Sequence, residues 1–204
     1  MLILPAFLFL TIILIYPLIY NVYLSFLNWR LTSPGNIKFV GFENYINLFL
    51  KHPDFYDVSI FSIGFTIATI FLEFIIGLLS ALLLYGLIKN RKLVTSILLT
   101  PYMVAPIAVG LSWRLIWDRD LGLANYLLVL LGFNKINWLA ESIPAFWSIV
   151  ISEVWRSTPF VTMILLAGLS SLPRDVFEAA HVDGANRWQV FKSITFPLLL
   201  PPLA

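Results

Sequence analysis

Long apolar blocks alternate with short polar segments along the chain. A helix rises about 1.5 Å per residue and the hydrocarbon core of a bilayer is about 30 Å thick, so roughly 20 apolar residues cross it. Four blocks are long enough, and we predict that each is a transmembrane helix: Leu2–Leu27, Val58–Ile88, Leu93–Trp117 and Pro144–Ser170. A fifth run, Pro197–Ala204, is too short to cross. We interpret it as the start of a further span and expect the sequence to be a C-terminally incomplete fragment of a single domain, 1–204.

Composition supports a membrane protein. Hydrophobic residues make up 60% of the 204 positions and charged residues 12%, against roughly 45–50% and 25% in soluble domains. A soluble fold of this size has no interior large enough for that apolar surface, so the lipid bilayer must cover most of it. We therefore predict an all-α, polytopic transmembrane helical bundle. The net charge of +2 gives no basis for a nucleic-acid partner, and the absence of cysteine excludes thiolate chemistry and disulfides.

The first apolar block could instead be a secretory signal peptide. No Lys or Arg precedes it, its apolar core continues past about 15 residues, and no small-residue cleavage site follows. It ends in Tyr20, Tyr23 and Trp29, aromatic residues typical of the membrane interface. These features favour a span.

The linkers predict the orientation. Lys89, Arg91 and Lys92 crowd the short linker between the second and third spans, and the positive-inside rule assigns such a cluster to the cytoplasm. The N-terminus and the segment after the fourth span, 171–196, then also lie in the cytoplasm. We expect the protein in a prokaryotic inner or plasma membrane.

The segment 171–196 is too rich in ionisable groups to lie in hydrocarbon. Ser171 is a candidate helix cap with Pro173 in the first turn, and Gly184 is a natural left-handed stop. A second helix would place Trp188, Phe191 and Ile194 on one face. The sequence thus predicts a helix-turn-helix on the cytoplasmic membrane surface.

This segment also contains a pattern of fixed spacings. Its elements are Glu178-Ala179-Ala180, Asp183-Gly184-Ala185, Phe191, Ile194, Pro197 and Pro201. The pattern resembles the EAA loop in the permease subunits of ATP-driven (ABC) importers that depend on a solute-binding protein. Further similarity lies upstream in Tyr16-Pro17, Ser25-Phe26, Val40-Gly41-Phe42-Glu43-Asn44-Tyr45, Gly122-Leu123-Ala124-Asn125 and Trp155-Arg156-Ser157-Thr158-Pro159-Phe160. These stretches are similar to the sugar-type permeases of maltose and glycerol-3-phosphate systems, and to the first of their two paired subunits.

The resemblance implies a type I ABC importer fold in which a short coupling helix docks on a cytoplasmic ATPase subunit. The coupling residues that it implies are Val176, Phe177, Glu178, Ala179, Ala180, Asp183, Gly184, Ala185 and Phe191. It further implies an ATPase dimer, a second permease subunit and an extracytoplasmic solute-binding protein as partners. An ordinary amphipathic connector resting on headgroups is the alternative for this segment.

Glu73, Glu153 and Arg156 fall well inside the predicted spans, where an unpaired charge costs several kcal/mol. Glu153 and Arg156 are three residues apart on one helical face and can form an ion pair, and Glu73 lies in the second span. One interpretation is that these groups pair with each other or with a partner subunit. The other is that Glu73, Trp155 and Arg156 line the solute path, since their side chains suit hydroxyl-rich ligands.

The prolines inside the predicted spans and the two histidines indicate no additional binding site. Pro101, Pro106 and Pro159 each remove a backbone hydrogen bond and favour a kink. His52 and His181 fall on opposite sides of the membrane under this topology, so we expect neither a shared metal site nor a cofactor.

The sequence therefore predicts a membrane translocation subunit and no enzyme. No G-x-x-x-x-G-K-[ST] loop is present, so ATP hydrolysis is expected on a separate subunit. The solute would be a sugar or a related polyol. An ion-coupled secondary transporter that uses Glu73 and Glu153 is the main alternative. A membrane-embedded enzyme ranks last, because no H-E-x-x-H or G-x-S-x-G motif occurs.

Overall fold

A computed structural model describes residues 4–29, 37–86 and 91–203, and these are predominantly helical. The helices are α1 (Leu4–Ser25), α2 (Glu43–Lys51), α3 (Asp54–Gly86), α4 (Arg91–Met103), α5 (Pro106–Ile116), α6 (Leu123–Leu130), α7 (Ser142–Ser171), α8 (Arg174–Val182), α9 (Arg187–Val190) and α10 (Phe196–Leu203). A π-helical turn, Phe191–Thr195, joins α9 to α10. Two-residue strands, β1 (Leu27–Asn28) and β2 (Lys38–Phe39), pair antiparallel. The predicted all-α class is confirmed.

Two of the described helices, α3 and α7, are long and apolar enough to cross a membrane. Phe9–Ser25 in α1 is a shorter apolar helix. The residues of the third predicted span do not form one straight helix, because α4 and α5 meet at a bend of 90°. The break lies at Ala105, which is extended (φ −57°, ψ 134°) because the ring of Pro106 disfavours a helical residue before it. The predicted third span, Leu93–Trp117, is therefore two helices with a break before Pro106, one of the prolines at which a kink was predicted.

The chain divides into two compact units, 1–62 and 63–204. In the first unit, Phe26 is packed by the rings of Phe39, Phe42 and Tyr45, with centroids 5.3–6.4 Å apart. The side-chain amide of Asn44 donates to the carbonyl oxygens at the end of α1, those of residues 25 and 27, over 2.8 and 3.0 Å. These contacts show that the Val40–Tyr45 stretch fixes the chain that leaves α1.

The core of the second unit lies where α3, α7 and α10 meet. Its buried members are Ala81, Leu84, Leu165, Leu166, Leu169 and Leu199. Gly77 allows the close approach of α3 to α7, since a Cβ there would lie 2.9 Å from Cγ1 of Val161. Gly77 faces Val161, and Glu73, one turn earlier on α3, lies within electrostatic range of Glu153 and Arg156 earlier on α7, so the two helices run parallel.

Large apolar side chains remain exposed along α1 and over much of α3 and α5. Examples are Phe9, Ile12, Ile67, Ile70 and Leu115, each more than half exposed. An apolar surface of this extent requires lipid or partner helices to cover it.

Candidate coupling elbow and solute path

The junction between α7 and α8 differs from the predicted helix start. Ser171 is the last residue of α7, and its hydroxyl donates to the carbonyl oxygen of Gly168 over 2.8 Å. Leu172 and Pro173 are extended, and α8 begins at Arg174. Ser171 therefore does not cap α8, the first helix of the predicted helix-turn-helix. The reason is that a residue before proline avoids the helical region, which moves the start of α8 beyond Pro173.

Gly184 ends α8 in the predicted left-handed conformation, with φ +75°. The N–H of Ala185 donates to the carbonyl of Ala180 over 2.9 Å, and the N–H of Gly184 donates to that of His181 over 3.1 Å. This pair of bonds is the Schellman motif, which satisfies the last carbonyls of a helix. The prediction of a left-handed stop at Gly184 is confirmed.

A capping box that sequence reasoning missed starts the next helix. The side chain of Asn186 accepts from the N–H of Gln189 over 2.9 Å, and the side chain of Gln189 accepts from the N–H of Asn186 over 2.8 Å. The signal was present in the sequence as Asn-x-x-Gln directly after Ala185. Two caps thus fix the turn from both sides. We call residues 174–190 the coupling elbow.

The aromatic face predicted for the second helix is present in modified form. Trp188 and Phe191 stack with centroids 5.6 Å apart. The π-helical turn Phe191–Thr195 adds one residue to the helical repeat. Its first residue, Phe191, has its ring centroid 6.0 Å from that of Phe196. Ile194 lies within this turn and is half-buried.

The predicted coupling residues differ in exposure. Ala180 is 7% exposed and packs within this chain. Phe177, Ala185 and Phe191 are half-buried, and the exposed members are Val176, Glu178, Ala179, Asp183 and Gly184. The elbow therefore offers a surface of mixed apolar and acidic character, and Ala180 supports it from beneath.

Replacing Gly184 by valine should impair this elbow. A side chain with a Cβ in the left-handed region costs about 1–2 kcal/mol, and β-branching adds to that cost. The correctly bent elbow should then fall about tenfold in population, which solute uptake by cells would report. Gly184→Asn is the matched control, because asparagine tolerates this conformation. An equal loss of uptake in Gly184→Val and Gly184→Asn would show that the left-handed backbone conformation at this position does not matter for uptake.

Glu153 and Arg156 form the predicted ion pair on α7. Arg156 Nη2 lies 2.5 Å from Glu153 Oε1, and Nε donates to Oε2 over 3.1 Å. The hydroxyl of Ser157 also donates to Glu153 Oε1, over 2.7 Å. The carboxylate is thus held by three donors on its own helix, and the charges of the pair offset each other.

Glu73 lies at the same level on α3. Gly77 contacts α7 at Val161, and one turn back along the parallel helices brings Glu73 level with Ser157. Glu73 interacts electrostatically with both Glu153 and Arg156. It is half-buried, and within 4–29, 37–86 and 91–203 no ion pair holds its carboxylate. Glu73 is therefore within electrostatic range of the Glu153–Arg156 pair, and no ion pair in the described part of the chain joins it to Arg156.

Trp155 and Arg156, although adjacent on α7, line two different clefts. Trp155 lines an apolar cleft of about 500 Å³ with Pro101, Pro159 and the side chain of Thr158, whereas Arg156 lines one of about 230 Å³ with Pro106. The ring of Trp155 packs edge-on against that of Trp113, with ring centroids 5.7 Å apart. The structure thus separates Trp155 from the other two path candidates.

A buried polar centre organises the loop that follows α5. Asn125 is 1% exposed, and its amide donates to the carbonyls of Arg119 and Ile136 over 2.9 and 2.8 Å. Its oxygen accepts from the N–H of Ile136 and the indole of Trp138, over 2.9 and 3.1 Å. Trp138 packs against Trp117, whose indole donates to Ser152 of α7 over 3.1 Å. Asn125 therefore ties this loop to α7.

Gly122 and Asp118 shape the turn before α6. A Cβ at Gly122 would lie 2.2 Å from the carbonyl oxygen of Asp118, so only glycine fits. The Asp118 carboxylate accepts from the N–H groups of Leu121 and Asp120, each over 2.9 Å. These two bonds lower the pKa of Asp118 below its ordinary value of 3.8.

We expect the stability of this turn to depend on acid pH. Because the pKa of Asp118 is lower in the folded turn than in the unfolded chain, its contribution is present above 3.8 and is lost as the pH falls through the lowered value. Amide exchange at Leu121 should accelerate over that range. Asp118→Asn should remove this acid dependence, and an unchanged dependence in that variant would assign it to another group.

Comparison with known proteins extends these observations. Residues 73–204 match the family model described as binding-protein-dependent transport system inner membrane component. The chain is 38% identical to the trehalose/maltose transport system permease protein MalF of Thermococcus litoralis, covering 100% of this chain and 68% of that protein. It is 39% identical to the probable ABC transporter permease protein y4oQ of Sinorhizobium fredii, over 97% of this chain and 63% of the relative.

Two further similarities concern substrate class and fold. The trehalose transport system permease protein SugA of Mycobacterium tuberculosis is 30% identical over 100% of this chain and 64% of its own length. The crystal structure of a bacterial ABC transporter involved in the import of the acidic polysaccharide alginate superimposes with a TM-score of 0.79 at 23% identity, over 98% of this chain and 67% of that chain. The chain thus spans about two thirds of the length of these proteins.

Proposed function

Because the chain belongs to the family of binding-protein-dependent transport system inner membrane components, we propose that it is the translocation subunit of an ATP-driven importer. Its cargo is a sugar or a related polyol. Trehalose and maltose permeases among the relatives support that class. The importer works by alternating access, and this chain supplies the path, while a separate subunit hydrolyses ATP.

The coupling elbow is the observation that carries this proposal. A connector that only rested on headgroups would have no need for two caps that fix one bend, nor for acidic groups on its exposed side. Glu178 and Asp183 are exposed next to the small side chain of Ala179, so a partner can approach closely and present basic groups. We assign this surface to the contact with the ATPase.

The elbow is joined to the path through one helix. Only Leu172 and Pro173 separate α8 from α7, and α7 carries the Glu153–Arg156 pair. On the other side, α10 packs into the core through Leu199. A displacement of the elbow by ATPase closure is therefore transmitted to α7, which moves the charged pair relative to Glu73.

The remaining partners follow from the family. We propose an ATPase dimer, a second permease subunit that supplies the other half of the path, and an extracytoplasmic solute-binding protein. The elbow faces the cytoplasm of a prokaryotic cell, and so does the N-terminus. The positive linker at Lys92 supports this orientation.

Within the membrane we assign Glu73 and Arg156 to the wall of the path, where carboxylate and guanidinium groups exchange hydrogen bonds with hydroxyl groups of the solute. Trp155 contributes from its apolar cleft, as a surface on which a sugar ring can stack. The Glu153–Arg156 pair holds the guanidinium in place.

A secondary transporter is the alternative, and the carboxylate of Glu73 is the feature that favours it. Uptake by cells distinguishes the two. Uptake that stops when ATP is depleted and persists when an ionophore collapses the ion gradients supports the importer. Uptake that collapses with the ionophore while ATP remains high contradicts it and supports ion coupling.

A further inference from the structure

We propose that the solute path selects against acidic saccharides, because one negative charge in its membrane-embedded part has no compensating cation among the residues that the structure describes. The cargo is accordingly a neutral saccharide. This inference rests on the proposed function and adds the charge of the cargo to it.

Arg156, the cation that we place in the path, already forms an ion pair with Glu153. Arg156 contacts both carboxylate oxygens of Glu153, over 2.5 and 3.1 Å, in a two-pronged arrangement. The single positive charge of Arg156 is thereby offset by the carboxylate of Glu153, so the pair has no net charge left to balance a carboxylate on a solute. The N–H groups of Arg156 that do not contact Glu153 can donate to hydroxyl oxygens of a neutral solute, whereas a second acid would add a negative charge that no described residue at this level offsets.

The carboxylate of Glu73 remains as the excess charge. It lies level with the pair and within its electrostatic range. Toward the end of α5, Arg114 is a further cation, but it interacts with Asp118 in the adjoining turn. Within the described residues at the level of the pair, two acids thus oppose one base. A neutral sugar can donate hydroxyl hydrogen bonds to Glu73, whereas a uronic acid is repelled.

The surrounding side chains agree with a neutral ring as ligand. Tyr102 stacks on Phe160 with centroids 5.0 Å apart, and Tyr102 lies within electrostatic range of Arg156. Aromatic faces pack well against the C–H faces of sugar rings. Like charges several ångströms apart in a partly dry site lower affinity about tenfold or more. This chain should therefore differ in selectivity from the structurally similar alginate importer.

The test measures binding to the complete transporter complex, purified in detergent without its solute-binding protein, so that the selectivity of that protein does not contribute. The probes are a neutral glucose trisaccharide and the same trisaccharide with glucuronic acid at its terminal position. We expect the neutral probe to bind at least about tenfold more tightly. Glu73→Gln should reduce this ratio to about threefold or less, because it removes the charge and keeps the shape.

Two variants control for structural effects. Glu73→Asp keeps the charge and should keep the preference for the neutral probe. Glu141→Gln makes the same chemical change at an exposed position at the start of α7 and should leave the ratio unchanged.

Equal binding of both probes by the unaltered complex overturns the inference, as does an unchanged ratio in Glu73→Gln. Failure to bind either probe also overturns it, because the path would then hold no saccharide site. None of these results bears on the ATP dependence of uptake, so the proposed function is judged separately.

Discussion

Glu178→Lys should lower ATP-driven uptake by roughly one and a half to three and a half orders of magnitude while the protein still inserts in the membrane. Glu178 is exposed on the elbow, where we place the ATPase contact. Reversing a charge that is paired across an interface costs about 2–5 kcal/mol, and each 1.4 kcal/mol is a factor of ten. The measurement is solute uptake by proteoliposomes that contain the complete complex and internal ATP, together with the amount of ATPase that copurifies.

The control is Glu141→Lys, which makes the same change at an exposed site outside the elbow and should leave uptake near its normal rate. A loss of ATPase copurification is expected only for Glu178→Lys. If that variant transports normally, the exposed acidic surface of α8 does not contact the ATPase.

Asn125→Leu should cause the largest loss of stability of any polar substitution that we consider. Four hydrogen bonds end on this buried amide, and a leucine would leave their backbone and indole partners unsatisfied. At about 1 kcal/mol for each bond, the free energy of unfolding falls by roughly 3–4 kcal/mol. Thermal unfolding of the detergent-purified complex should shift downward by about 6–12 °C.

Asn44→Leu is the matched comparison. Its amide also donates to two carbonyls, but the site is exposed, so water can replace the lost partner. We expect Asn44→Leu to lower the unfolding temperature by a few degrees or less. Similar shifts in unfolding temperature for both variants would mean that the burial of Asn125 does not make its hydrogen bonds more important for stability than those of exposed Asn44.

Helical content and the bend at the elbow could be predicted because each depends on local chemistry. Apolar blocks longer than a bilayer is thick allow little besides helices. Gly184 stops α8 as expected, because glycine alone enters the left-handed region without strain. The Glu153–Arg156 pair also followed from spacing on one helix.

Features that depend on contacts between distant residues could not be predicted. Asn125 appeared in the sequence only as the end of a short motif, and its partners lie up to 13 residues away. The separation of Trp155 from Arg156 depends on how α3 and α4 pack around α7. The 90° break at Ala105 was expected only as a kink at proline, because the bend angle is set by packing and not by the proline itself.

The burial of Ala180 is a further example. Its small side chain suggested a surface for close approach, but only 7% of the residue is exposed. A small residue in a helix permits close packing without identifying which partner packs there, and here the partner is the chain itself.

Cysteine cross-linking at the elbow tests most directly whether this chain couples to an ATPase. The sequence has no cysteine, so single substitutions at exposed Ala179 and buried Ala180 need no prior removal of others. In intact cells, a thiol-to-amine cross-linker should join Ala179→Cys to an ATP-hydrolysing protein and yield little product with Ala180→Cys. Capture of no such protein at Ala179, with the variant present in the membrane, would contradict the account.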